Sequence, residues 1–185
     1  MSSFELWWPE IGKTYTMTES IRIATPFGTI LLPQGYKHDG DTGVINFQER
    51  IPSVDPMVVP AAHDWGFDYE IDELGRVLSF QTWNKIYYYL SRHSNSWARR
   101  RVARLRYWVV SSWVGRRYWD RSPDAMPLPA EWAPMFGDSL DAFALRMKMP
   151  VLAVNDQTKR LQLLPPQDAY GYDLKTLNGV GREGV

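Results

Sequence analysis

Thirteen prolines are placed so that none falls between Pro60 and Pro123, and this gap limits the possible folds more than any other feature. A proline inside a helix removes a backbone donor and clashes with the preceding turn, so the longer helices are expected within the gap. There, segments 60–69, 79–93 and 96–119 carry apolar residues at helical spacing. Pro60 suits a first helical turn, where its missing N–H costs nothing. Ser79 before "FQTW" and Asn95 or Ser96 before "WARR" offer side-chain acceptors to unpaired first-turn N–H groups. Three helices are therefore predicted.

The flanks read differently. From Lys13 to Gly35, short runs rich in Thr, Ile, Tyr and Leu are broken by "TPFG" and "PQG", as in a small antiparallel β meander, with strands near 13–18, 20–25 and 28–32. Beyond Asp120 the chain is dense in Pro and Gly, with room for a short helix over Leu140–Met147 and a hairpin in "VLAVNDQTKRLQLL". The expected architecture is an α+β domain over 1–120 followed by an extended C-terminal arm over 121–185. The arm carries Trp132, Phe136 and Leu163, and exposed apolar side chains of this kind invite association. It is expected to dock on a neighbouring subunit, the alternative being that it wraps its own domain.

A chain of 185 residues suits one domain with an extension. Its 21 basic side chains balance 21 acidic ones and 44% of its residues are hydrophobic, a globular composition without the charge excess of a general nucleic-acid binder. The absence of Cys excludes disulfides, thiol nucleophiles and Cys-ligated zinc. No basic segment leading into an apolar run opens the chain, and no window of about 18 apolar residues occurs. Neither a signal peptide nor a membrane span is expected.

The chemistry-bearing candidates cluster around "VVPAAHDWGFDY", where His63 and Asp64 are adjacent, and "YKHDGDTG", which holds His38, Asp39, Asp41 and Thr42. Imidazole and carboxylate groups can ligate a divalent metal or orient a general base, so His63, Asp64 and Asp39 are the candidate catalytic and metal-binding residues. The spacing fits no established metal motif. A structural reading is therefore preferred, in which His63 and Asp64 belong to a hydrogen-bonded polar cluster and no cofactor is bound. The segment from Trp97 to Arg121 interleaves arginines with tryptophans, a combination able to contact phosphates and stack on bases. Arg99, Arg100 and Arg104 are the candidates for that role. The preferred reading is again structural: Val102, Leu105 and Val109 form an apolar stripe facing the core and the arginines face solvent. A membrane-surface helix is disfavoured because the tryptophans spread around the wheel.

Taken in order, "GYKHDGDTG", "PAAHDWGFDY", "TWNKIYYYL" and "VVSSWVGRRYW" resemble the phage-associated family known as domain of unknown function thirteen fifty-three. The resemblance spans roughly residues 13–120. It implies a polar cluster of Asp39, Thr42, His63, Asp64 and Asn84, with Gly115 as the closing glycine. Val44 stands where the family has proline, and Asn84 where it has aspartate, which replaces an anionic ligand by a weaker amide oxygen. The resemblance implies a bacteriophage structural protein of the tail, neck or capsid, assembled in the host cytoplasm and carried in the virion. Its expected partners are other virion proteins or copies of itself. The alternative is a small metal-dependent hydrolase, perhaps acting on cell wall, that uses His63 and Asp64.

Overall fold

A computed structural model describes residues 14–39, 55–120 and 125–166. Its elements, in chain order, are β1 (Tyr15–Thr16), β2 (Ile21–Thr25), β3 (Gly28–Leu32), β4 (Lys37–His38), α1 (Asp55–Asp68), α2 (Phe80–His93), α3 (Trp97–Val110), α4 (Trp113–Trp119), a 3-10 turn (Ala133–Met135), α5 (Leu140–Arg146), β5 (Val151–Asn155) and β6 (Arg160–Leu164). The class is α+β.

Three of the described helix starts are fixed by side-chain caps, that of α5 by Ser139, which accepts from the Ala142 N–H. Ser79 accepts from the Thr82 N–H and Ser96 from the Arg99 N–H, each satisfying a first-turn donor that would otherwise be unpaired. The long helix expected over 96–119 is two helices. Ser111 and Ser112 turn their backbone N–H groups to Tyr107 and Val109, and the Ser112 hydroxyl also donates to Val109 O, so local hydrogen bonds end α3 and let α4 restart at a new angle. Pro60 is not a first-turn residue either. The helix begins at Asp55 and carries Pro60 inside it, leaving the Pro56 carbonyl without its usual helical donor.

The expected three-stranded meander is replaced by two sheets. β2 and β3 form the antiparallel hairpin, but β1 pairs with β4 across its base. β2 then pairs in parallel with β5, and β5 antiparallel with β6, giving the four-stranded order β3-β2-β5-β6. The described part of the expected arm is thus continuous with the sheet of the first domain, and the division at residue 120 does not separate two packing units. Its docking residues also turn inward: Trp132, Phe136 and Leu163 pack against the central cluster of buried residues. The physical reason is area, since strands and rings on hand cover each other more cheaply than they wait for a partner. Residues 167–185, the rest of that arm, lie outside the described residues.

The core lies between the sheet and α1 and α2. Ile21, Ile23, Ile30 and Leu152 from the sheet meet Trp65 of α1 and Trp83, Ile86 and Leu90 of α2. Gly66 sets the closeness of the two helices: a Cβ there would lie 2.5 Å from the Trp83 ring. Gly115 does the same at the α3–α4 corner, where a Cβ would run into the Val110 carbonyl oxygen.

Candidate functional site

The polar cluster forms where β4 crosses α1. Asp64 and Asp68 are one helical turn apart and share a face, and Tyr36 and His38 come up to it from the β4 segment. The Tyr36 hydroxyl donates to Asp68 Oδ2 at 2.8 Å. His38 Nδ1 and His63 Nδ1 each stand 3.9 Å from an Asp64 oxygen, an ion-pair separation rather than a hydrogen bond. His38 is held between the Tyr15 and Tyr36 rings, while His63 lies against Phe67 and Tyr87.

The chain matches no family model, no curated protein and no solved structure.

The electrostatics of the cluster favour neutral groups. Burial raises the Asp64 carboxyl from 3.8 to about 7, with His63 pulling it down and Asp39 pushing it up. Burial likewise raises Asp68, opposed by the Tyr36 hydrogen bond and reinforced by Asp39, and it lowers His38, against a smaller upward pull from Asp39. Near neutral pH, Asp64 is a half-titrated acid beside two imidazoles, able to give or take a proton. His38 Nδ1, His63 Nε2 and Asp64 Oδ2 are buried with no hydrogen-bond partner among the described residues. Among the described residues, no group of three or more His, Asp or Glu is placed to hold a metal.

Asp64 should show itself in the pH dependence of stability. Between 3.8 and about 7 the folded protein keeps a proton that the unfolded chain releases, so this contribution is complete below the unfolded value and is lost as pH rises through the folded one. Comparing wild type with Asp64→Asn isolates it from His38. Relative to the variant, the wild-type melting temperature should fall between pH 5 and pH 8. A relative rise would show that Asp64 is stabilised as a carboxylate.

The cluster differs from the expected one in its membership. His63 and Asp39 both act on Asp64. Asn84 does not join these three by hydrogen bonds: its Nδ2 donates to Val110 O at 3.5 Å and its Oδ1 has no partner among the described residues. Thr42 and Asp41 lie outside the described residues. Tyr36 and Asp68 complete the cluster, a pair whose only sequence signal is a tyrosine and an aspartate in otherwise ordinary strand and helix positions.

The larger surprise is α3, which is turned inside out. Its buried side holds Arg99, Ala103 and Arg106, while Trp97, Leu105, Trp108 and Val109 are 40–70% exposed. Arg106 donates to the Tyr87 hydroxyl inside the α2–α3 contact. Arg100 is spent on the Ser94 and Asn95 carbonyls. Of the three arginines expected to offer a nucleic-acid surface, only Arg104 faces solvent. Trp97 and Trp108, eleven residues apart, fall within about 20° of each other on the wheel, so the tryptophans of α3 share one face. α4 continues the exposure with Trp113, Val114 and Tyr118 and buries no residue.

Proposed function

We propose that this protein is a structural assembly component that docks onto a larger body through the outer face of α3 and α4. The setting is a bacteriophage particle, in its tail, neck or capsid-associated parts, with assembly in the host cytoplasm. The inversion of α3 carries the reading: a helix that exposes Trp, Leu and Val and buries Arg is organised for a partner rather than for water. From Trp97 to Trp119 there is no Lys, Asp or Glu, and enrichment in Trp, Tyr and Arg with depletion of those three is the composition of interface centres. Exposed Arg101, Arg104 and Arg117 would oppose their own copies across a two-fold contact, so the partner surface is acidic and belongs to another protein.

Leu105→Glu and Trp108→Glu test the reading without touching the core. Both side chains are exposed, and stability should change by no more than about 0.5 kcal/mol. Mass spectrometry of purified particles of the encoding phage should find the wild type in fixed stoichiometry and neither variant. A particle that lacks the wild-type protein, or incorporates both variants equally well, overturns the proposal. A stoichiometric divalent metal in protein purified without chelator, lost in His63→Ala, would put the hydrolase in its place.

A further inference from the structure

Two grooves lie side by side along α2. The first, of about 500 Å3, is lined by Phe80, Asn84, Lys85, Tyr107, Trp113 and Arg116 among others. The second, of about 310 Å3, shares Lys85 and Tyr107 and adds Tyr88 and Arg92. Both volumes are in the range of small-ligand sites. Neither lining contains a carboxylate. Asp120 pairs with Arg116 at 2.8 Å and Asp156 acts on Tyr89 from the β5–β6 turn, but both stand outside the lining.

Three features of the two grooves fit one ligand chemistry. Cations line both, because Lys85 and Arg92 are seven residues apart on one helix, about 10 Å along its axis, and Arg116 lines the first groove. Rings lie along the same path, Trp113 being 74% exposed and free to stack. Asn84, which lines the first groove, is 1% exposed and its Oδ1 has no donor among the described residues, which leaves an amide acceptor in the groove wall. An isolated buried acceptor costs stability unless something donates to it. A chain of phosphates carrying flat rings with N–H groups meets all three: the cations take phosphates, the aromatic side chains take bases, and the Asn84 amide takes a base N–H.

We infer that the two grooves together bind a single-stranded nucleic acid. The grooves share Trp113 with the α4 end of the docking face but use none of the outer residues Trp97, Leu105, Trp108 and Val109 of α3, and the inference does not depend on the docking role. It also uses other residues than the buried or backbone-bonded Arg99 and Arg100.

Fluorescence anisotropy of the full-length protein with a labelled oligothymidylate of about 15 nucleotides tests it. Binding is expected at low salt, with log affinity falling against log salt at a slope of about −2 for three phosphate contacts. Trp113→Ala should weaken binding about tenfold, the lower part of the range for one lost base stack. Lys85→Glu and Arg92→Glu, both at exposed positions, should weaken it and flatten the salt slope, while Leu105→Glu on the α3 face should leave it unchanged. Absent or salt-independent binding, or wild-type affinity in Trp113→Ala, overturns the inference. So does thymidine monophosphate that binds as tightly as the strand, since the site would then belong to a free nucleotide.

Discussion

Arg146→Ala should lower the stability of the protein by about 3–5 kcal/mol, the range found when one member of a buried ionic network is removed. Arg146 is 3% exposed, and its Nη1 donates to the carbonyls of Glu73, Met135 and Gly137 at 3.2, 2.9 and 2.8 Å. Its Nε lies 3.8 Å from the Glu73 carboxylate, which Arg22 of β2 also holds through two hydrogen bonds of 2.7 and 3.0 Å. One side chain thus ties α5 and the 3-10 turn to the loop after α1. Without it, the part-buried Met135 and Gly137 carbonyls lose this donor while Glu73 O keeps only the Gly137 N–H, and the remaining Arg22–Glu73 pair offers no substitute. Urea unfolding of wild type and variant measures the loss. A cost below about 1 kcal/mol would mean that water reaches these carbonyls and that α5 is only loosely seated.

Trp65→Ala should cost about as much, roughly 3–5 kcal/mol, for a different reason. The indole is fully buried, stacked on Tyr69 at 4.3 Å and on Phe136 at 5.6 Å, and edge-on to Tyr36 at 5.1 Å, with Nε1 donating to Ile71 O. Its removal opens a cavity among rings contributed by α1, the β4 segment and the 3-10 turn, and no neighbour is free to fill it. Because Phe136 and Trp132 lose their main support, limited proteolysis should cut within 125–166 sooner in the variant than in wild type. A variant with unchanged unfolding and cleavage would show that the Pro-rich segment does not rest on this ring.

The two substitutions probe the part of the molecule that the sequence reads least well. Pro127, Pro129 and Pro134 around Trp132 and Phe136 exclude a long helix, and that inference is sound. They do not reveal whether the rings find a surface on the same chain or on another. The answer depends on the shape of the surface left open by Trp65, Tyr36 and Tyr69, three residues that lie far upstream. The His63–Asp64 pair has the same character. Its adjacency marks a polar site in the sequence, whereas the approach of His38 and the Tyr36–Asp68 hydrogen bond depends on β4 crossing α1.

What the sequence determines by itself is local. Ser79 and Ser96 start helices because each can bond a donor three residues ahead, and the "TPFG" turn closes β2 on β3 through Gly28, whose φ of +134° suits a residue without a side chain. The α+β class follows from such short-range signals added together. Only the tertiary structure decides that β5 lies parallel to β2, that β1 pairs with β4, and which side of α3 faces inward. Helical spacing gives Val102, Leu105 and Val109 one stripe and the arginines another, but not which stripe is buried. That choice goes to the arginine side because the Tyr87 hydroxyl accepts from Arg106 and the small Ala103 admits a close approach to α2. A neighbour that can satisfy a buried charge reverses the order that hydrophobicity alone would set.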